Sequence, residues 1–495
     1  MRYLLNSAQM KACDTYTIEQ KGMPSAVLME RAALAVVEEI QASFPESKRV
    51  LVLCGSGNNG GDGFAAARLL LLAGVSADVY FAGKEASLTE DATLQKKIFE
   101  NYGGKVCRNP EFAEYTLLVD ALFGIGLSRN VTGSYASVLQ AAGEAALPVV
   151  AIDMPSGISA DTGEVMGTAL RADVTVTFAF AKLGQILYPG AEYCGRLVVR
   201  DIGITGAGVE SGEFAFTYGP EDLGRLPVRR RRSNKGSYGR VLLIGGAPGM
   251  AGAAALCGRA AYRTGCGLVR IFSSECCRNV IQTLLPEAVY TSWPGKEAEG
   301  LPSGLLDWPD VIGIGPGLGQ SAEAEAFLKD VLEHWNGPLV LDADALNLLA
   351  VHPEYLSGSP AQIIVTPHPG EMSRLTGKMI SAILEDIPGS AKSYAKERPL
   401  ICILKDARTA VSDGKQLFLN TSGNNGMAVG GSGDVLTGIL CGLLAQGMPA
   451  YEAACMGVYL HGLCGDAARR NLGARSMLAS DIADSLAKVL KENCP

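Results

Sequence analysis

The stretch Val50-Leu51-Val52-Leu53-Cys54-Gly55-Ser56-Gly57-Asn58-Asn59-Gly60-Gly61-Asp62-Gly63-Phe64-Ala65-Ala66-Ala67-Arg68-Leu69-Leu70-Leu71 decides the fold of the first part of the chain. Val50–Cys54 is an apolar run and reads as a buried strand. Gly55–Gly63 reads as a loop and Phe64–Leu71 as a helix. Strand, glycine-rich loop and helix together offer free backbone N–H groups to a phosphate at a helix N-terminus. The spacing is not that of the dinucleotide fingerprint G-x-G-x-x-G. The Asn-Asn-Gly-Gly-Asp content adds side-chain carbonyls and a carboxylate, which a plain phosphate loop does not need. A tight turn requiring positive φ is the plainer reading of the glycines.

Outward from this unit the same alternation recurs. Short apolar runs at 116–120, 148–153, 240–244, 310–315, 338–342, 362–366 and 400–405 are separated by helical stretches. This predicts βα units around a mainly parallel sheet, an α/β fold in which ligands bind beyond the carboxyl ends of the strands. A seam is expected near Tyr218–Asp222, where Gly219-Pro220 signals a turn, giving domains of 1–219 and 220–495. The basic segment that follows, Arg225 to Arg240 with four consecutive arginines at 229–232, reads chiefly as a solvated linker, with Lys235-Gly236 its more functional piece.

Composition limits the function classes. The chain has 495 residues, 48% hydrophobic and 19% charged, with a net charge of −8. These values fit globular domains and give no sign of general nucleic-acid or membrane binding. No apolar run is long enough for a membrane span, and the start lacks the apolar core of a signal peptide. Thirteen cysteines without C-x-x-C spacing argue for a reducing, cytoplasmic setting and against a zinc site or disulfide framework. Sixty glycines, against a typical ~7%, cluster after the apolar runs, where backbone approaches a ligand.

In the first half, Asp120 ends one apolar run and precedes Ala121-Leu122-Phe123-Gly124-Ile125-Gly126-Leu127. Asp153 ends another and precedes Met154-Pro155-Ser156-Gly157. Each aspartate alone fits a helix N-cap; beside the Asn-rich loop they suggest a site. Asn59, Asp120 and Ser156 are an oxygen-only set suited to a hard cation, and Lys182 can supply a cation or a proton.

In the second half, Gly245–Ala253, Gly313–Gly319, Asp342–Asn347 and Thr366–Met372 each follow a strand. His368, between two prolines, is the histidine expected to contact a ligand; His334, His352 and His461 read as structural. The sharpest motif is Asn424-Asn425-Gly426-Met427-Ala428-Val429-Gly430-Gly431-Ser432-Gly433-Asp434, running into an apolar helix. Backbone N–H groups there would stabilise a transferring phosphoryl group, and Asp434 would take the proton of the attacking hydroxyl. A plain N-cap would not need so many glycines.

GSGNNGGDG, DALFGIGL, DMPSGISADTG and FAFAKLG together resemble the NAD(P)H-hydrate epimerase family over most of residues 1–218. GGAPGMAGA, GPGLG, LDADALN, TPHPGEM, GGSGDVLTG, YLHGL and ASDI resemble the nucleotide-dependent NAD(P)H-hydrate dehydratase family over roughly 225–492. The resemblance implies a Rossmann-like α/β/α sandwich followed by a ribokinase-like α/β domain with a mainly parallel central sheet. It implies hydrate contacts at Asn58, Asn59, Gly60, Gly61, Asp62, Gly124, Ile125, Gly126, Leu127, Ser128, Arg129, Asn130 and Asp153. Potassium is implied at Asn59, Asp120 and Ser156. Asp153 is the favoured acid/base, with Lys182 as its candidate partner. In the second half the implied substrate contacts are Ala253, Gly317, His368 and Asp434, and the adenine-nucleotide contacts are Lys405, Asp406, Ala407, Arg408, Thr409 and Gly433. ADP is the implied phosphoryl donor, with ATP an alternative, together with magnesium; the substrates would be NADHX and NADPHX, and a homo-oligomer is expected.

This chain departs from the dehydratase pattern. Asp406 stands where the family usually has Gly, Asn425 where it has Pro, and Val429 where it has Thr. Asp406 places a carboxylate near the expected nucleotide phosphates. A competing reading is a ribokinase-like kinase for a vitamin alcohol, with a non-catalytic nucleotide-binding first domain.

Overall fold

The computed structural model describes residues 1–209, 214–293 and 300–493. The chain forms two compact units. One is Tyr3–Ala215, and the other joins Met1–Arg2 to Phe216–Pro495; the sequence suggests a division at 219/220.

In the first unit, strand Arg49–Cys54 sits inside a parallel sheet. On one side lie Ser76–Phe81 and then Lys105–Cys107. On the other lie Leu117–Ala121, Val149–Ile152, Val174–Phe178 and Arg196–Arg200. This is the doubly wound order, and the strand direction of winding reverses between Arg49–Cys54 and Leu117–Ala121. Side chains alternate across the sheet. Val50, Val52 and Cys54 pack with helix Ser25–Ser43 and with Phe64, whereas Leu51 and Leu53 pack with Leu139 and Ala142 of helix Gly133–Glu144. Both faces are covered, which is why the strand is apolar at every position.

One boundary differs from the sequence reading. The helix after Arg49–Cys54 spans Asn58–Leu72, so Asn58–Gly63 form its opening turns and are not loop. Glycine is favoured there, despite its low helix propensity, because neighbours leave little room for a Cβ. A Cβ on Gly60 would overlap the Gly55 carbonyl. One on Gly61 would fall 2.7 Å from Met29 Cε, and one on Gly63 2.6 Å from Ala121 Cβ.

The second unit is built on parallel strands in the order Val289–Trp293, Leu268–Ser274, Arg240–Ile244, Val311–Ile314, Pro338–Leu341, Gln362–Val365 and Ile401–Leu404. Ala410–Ser412 and Leu417–Leu419 extend it as antiparallel strands. Helices Ala251–Thr264 and Ser432–Ala445 pack against each other. They approach closely because Gly438 lies on the Cys257 carbonyl and Gly442 faces Thr264; a Cβ at either glycine would clash. The small residues of Ala251–Ala255 and beyond therefore serve packing as well as ligand access.

Among the described residues, no helix is long and apolar enough to cross a membrane.

Candidate functional site

The winding reversal of the first unit opens a cavity of about 890 Å³ at the strand carboxyl ends, within the size range of small-molecule and cofactor sites. Asn58, Asn59 and Asp62 line it, as do Gly124, Ile125, Gly126, Leu127, Arg129, Asp153 and Lys182. Gly60 and Gly61 are buried behind this wall, packed as described above. Ser128 and Asn130 are exposed on the same loop.

Asp153 and Lys182 meet at one end of the cavity. Lys182 Nζ donates to Asp153 Oδ1 at 2.6 Å, to Thr177 Oγ1 at 2.7 Å and to the Phe178 carbonyl at 3.3 Å. Thr177 Oγ1 donates in turn to Asp153 Oδ1 at 3.0 Å. Gln185 fixes both partners, donating to the Asp153 carbonyl at 2.5 Å and accepting from the Lys182 N–H at 2.7 Å. Asp153 has φ +62° and Ala179 φ +59°, left-handed conformations that cost energy in residues with a Cβ and cluster at functional sites. The lysine is almost wholly buried, at 1% side-chain exposure, whereas Asp153 opens to the cavity at 14%.

The remaining carboxylates of the cavity repel each other. Burial, followed by Asp153, Asp14 and Asp91, pushes the Asp62 carboxyl well above its ordinary range. Burial and the same neighbours, Asp153 and Asp91, also raise Asp14. Asp14 and Asp91 line the cavity with the cations Lys11 and Lys84, and the sequence reading missed all four. They come from helices and a turn outside the glycine motifs, so only their patterning on surface-like helices was visible.

Asp120 and Ser156 are brought together next to this cavity. Asp120 Oδ1 accepts from Ser156 Oγ at 2.6 Å and from Leu122 N–H at 3.3 Å; Oδ2 accepts from Ser156 N–H at 2.7 Å. All these partners are neutral, and burial lifts the fully enclosed carboxyl to about 6. Asn59 lies against Gly124, and its amide nitrogen is buried without a partner.

The second site is assembled from four adjacent strand ends. Pro338–Leu341 delivers Asp342, Gln362–Val365 delivers Thr366 and His368, Ile401–Leu404 delivers Lys405, and Val311–Ile314 delivers Gly315–Gly319. Asp342 is buried and accepts from Lys405 Nζ at 2.9 Å, Thr366 Oγ1 at 2.7 Å and Thr437 Oγ1 at 2.8 Å. Burial pushes its carboxyl up, but the Lys405 ammonium and these donors outweigh it and hold it below the usual range. Ala343, at φ +47°, turns the chain sharply after it.

Lys405 also reaches Glu371 at 3.9 Å. Burial opposes its charge, but Asp342 and Glu371 raise its pKa. A Cβ on Gly433 would fall 3.4 Å from Lys405 Nζ, so the ammonium sits directly against the glycine loop. The helix beyond that loop spans Ser432–Ala445, with Gly431 at φ +91° as its cap and Asp434 in its first turn. Burial, then the Asp342 carboxylate, lifts Asp434 to about 7, with Lys405 pulling the other way.

His368 caps helix Pro369–Thr376. Its Nδ1 accepts from Gly370 N–H at 3.0 Å, and its own N–H donates to Glu371 Oε2 at 2.8 Å. With Nδ1 an acceptor, the neutral ring carries its proton on Nε2. Partial burial and the Lys405 and Arg374 cations lower the ring's pKa and favour that neutral form. Gly317, at φ +57°, faces Ala253; a Cβ on it would fall 3.1 Å from Ala253 Cβ. The Lys405–Thr409 turn is tied by Thr409 Oγ1 to the Asp406 carbonyl at 3.1 Å and by Arg408 to the Thr421 carbonyl at 3.3 Å; Asp406 and Ala407 are exposed.

His461, read as structural from sequence, lies with Nε2 3.3 Å from Ser432 Oγ. Burial lowers it to about 4, so it stays neutral beside the loop. The sequence places it 29 residues beyond Ser432 on a different helix, Ala450–Leu472, a proximity that spacing cannot reveal. Lys235 lies in the exposed turn Lys235–Tyr238 and lines neither site.

Two family models match the chain. One described as YjeF-related protein N-terminus matches residues 25–184, and one described as NAD(P)H-hydrate dehydratase matches 241–488. A bifunctional NAD(P)H-hydrate repair enzyme from Moorella thermoacetica is 39% identical over 99% of this chain and 97% of its own length. The enzyme of the same name from Escherichia coli is 36% identical over 95% and 90%. Among solved structures, an ADP/ATP-dependent NAD(P)H-hydrate dehydratase from Bacillus subtilis, co-crystallised with ATP and Mg2+, is similar to 58% of this chain and all of its own, with 31% identity and a TM-score of 0.51. Two α/β units with a site at the strand ends of each, matched along their full length, make this chain a member of the bifunctional NAD(P)H-hydrate repair enzyme family.

Proposed function

We propose that the first unit interconverts the R and S forms of hydrated NADH and NADPH, and that the second dehydrates the S form back to the reduced dinucleotide at the expense of ADP. The observation that carries the reading is Asp434. It is a carboxylate with its pKa raised to about 7, in the first turn of a helix whose Gly433, one residue before it, lies against the Lys405 ammonium.

In the second site the hydrate hydroxyl attacks the terminal phosphorus of ADP and AMP leaves. Asp434 takes the hydroxyl proton, a transfer for which a pKa near the working pH is best suited. Loop N–H groups and Lys405 stabilise the charge on the transferring oxygens. The ring-nitrogen lone pair then expels phosphate, and loss of the neighbouring C–H proton restores the double bond. The His368 Nε2–H is a fixed donor for the substrate. Magnesium, as carried by the Bacillus subtilis relative with ATP, would supply charge neutralisation on the nucleotide phosphates. The described residues contain no cluster of three His, Cys, Asp or Glu side chains to cage a metal, which suits an ion held by phosphates and water.

In the first site the ring nitrogen expels the hydroxyl as water, protonated by Lys182, to leave a planar iminium. Water adds to the opposite face as Asp153 takes its proton, and that proton returns to Lys182 across their 2.6 Å contact. Asn58, Asn59 and Asp62 hold the nucleotide, with Gly124–Asn130 as the facing wall. Potassium is assigned beside Asp120, whose buried carboxylate has only neutral donors around it, with Ser156 bonded to it and Asn59 as the further oxygen ligand. Bound there, the ion would supply the counter-charge that the carboxylate lacks. The enzyme is read as cytoplasmic and homo-oligomeric.

The test uses Asp434→Ala in the full chain. Dehydration of the S hydrate, followed as NADH absorbance with ADP and then with ATP, is abolished while exchange of R and S continues. Retained dehydration would reject the assignment, and a stable phosphorylated product in the unmutated enzyme would favour the kinase reading.

A further inference from the structure

We infer that Cys276 and Cys277 form a vicinal dithiol site for a trivalent arsenical or a comparable thiophilic centre, and that its occupation loosens the loop 245–250 and the helix start that follows it in the second unit. The two sulfurs lie 3.9 Å apart. Two thiolates each about 2.3 Å from one soft centre stand about 3.3–3.8 Å apart from pyramidal to tetrahedral angles, a spacing that a small turn of the exposed Cys276 side chain reaches. A disulfide needs about 2.05 Å. The pair is therefore spaced for a bridging atom and not for direct oxidation.

The sulfurs are held in that relation by their surroundings. They sit on the turn Glu275–Cys277, after strand Leu268–Ser274. The turn is braced by Glu275 on Arg278 at 2.7 Å, and the Arg278 guanidinium lies 4.7 Å over the Tyr290 ring. Tyr290 in turn donates to the Ser273 and Ser274 carbonyls. Cys276 is exposed, the one cysteine so placed among the described residues; Cys277 is buried beneath it. Cys494 lies outside the described residues.

The coupling runs through one proton. The Cys277 thiol donates to the Ala247 carbonyl at 3.4 Å. Ser273 Oγ donates to the Gly246 carbonyl at 2.6 Å, and Ala247 N–H donates to the Gly317 carbonyl at 2.6 Å. Gly317 faces Ala253, one of the proposed substrate contacts. With phenylarsine oxide, two As–S bonds form. The arsenic–oxygen bond is lost, and both thiol protons leave with that oxygen as water; arsenic stays trivalent. Cys277 thereby loses the proton that tethers Ala247, and the loop is left to its other bonds, those of the Gly245, Gly246 and Ala247 N–H groups and of the Gly246 carbonyl.

The experiment treats the full chain with one equivalent of phenylarsine oxide. Mass spectrometry is expected to show one phenylarsenic per chain, stable to glutathione and removed by 2,3-dimercaptopropanol. C276S and C277S are each expected to form no such adduct. Hydrogen exchange in 245–252 is expected to rise in the adduct, and dehydration to fall at least fivefold with epimerisation unchanged. C276S is expected to keep full dehydration in the presence of the arsenical. An adduct of equal stability in C276S, or a saturated adduct with unchanged exchange in 245–252, would overturn the inference. Only the dehydration readout rests on the proposed activity: an untreated chain that dehydrates nothing would count against that activity, while mass and exchange still decide the dithiol.

Discussion

Lys182 Nζ and Asp153 Oδ1 are 2.6 Å apart, and Thr177 Oγ1 bonds to both. Each group comes from a different segment: Asp153 follows strand Val149–Ile152, Thr177 lies in strand Val174–Phe178, and Lys182 ends the short strand Ala181–Lys182. Three strand ends thus place an acid and a base at one wall of the cavity.

Asp153→Asn and Lys182→Met are each expected to slow epimerisation by about 10²-fold or more, the scale of a positioned acid or base. Dehydration of purified S hydrate is expected to be unaffected. The check is exchange between the R and S forms by chromatography without ADP. Near-normal exchange in either variant would remove that residue from the chemistry.

Thr177→Val removes the hydroxyl shared by the pair and leaves Lys182 one acceptor short in a buried position. Loss of a hydrogen bond to a charged group costs about 1.5–3 kcal/mol. Epimerisation is expected to fall by about tenfold with an altered pH profile, and Thr177→Ser to restore both. A loss shared equally by Val and Ser would mark a packing effect instead.

The raised pKa of Asp434 makes two linked predictions. Dehydration by the unmutated enzyme rises with pH through about 7 as the carboxylate forms. Stability moves the other way. The native state binds the proton more tightly than the unfolded chain, so this group's contribution falls as pH climbs from the ordinary aspartate value towards about 7. Asp434→Asn removes that penalty. Its Tm is expected to exceed the unmutated enzyme's at pH 8 and to match it more closely at pH 4, while dehydration is lost. Thermal melts at the two pH values provide the comparison.

Lys405→Met leaves Asp342 enclosed without its cation. Removing one partner of a buried ion pair costs about 3–5 kcal/mol, so the second unit is expected to melt earlier, by calorimetry, with Asp342→Asn/Lys405→Met recovering part of the loss. An unchanged melting temperature would mean that the Thr366 and Thr437 hydroxyls suffice to hold Asp342.

Much of this was legible before the structure. Strands 49–54, 240–244 and 401–404 were apparent because parallel strands covered on both faces are apolar at nearly every position. Half-exposed strands such as Arg196–Arg200 and Val289–Trp293 carry no such signal. The glycine motifs marked both sites because glycine is needed where backbone meets backbone, as at Gly315, whose Cβ would overlap the Asp342 carbonyl. The start of the helix at Asn58 was hidden because its glycines read locally as loop. Asp14, Asp91 and His461 were hidden for another reason: their relevance comes from long-range packing, which no local spacing encodes.

The central claim is that two sites on one chain act in sequence on the same dinucleotide. The most direct test incubates the full chain with an equilibrium mixture of R and S NADHX, excess ADP and magnesium, and follows NADH absorbance to completion. Recovery of all the hydrate as NADH is predicted, with Asp153→Asn recovering the S portion promptly and the R portion only slowly. A reaction of the unmutated enzyme that stops when the S portion is consumed would contradict it.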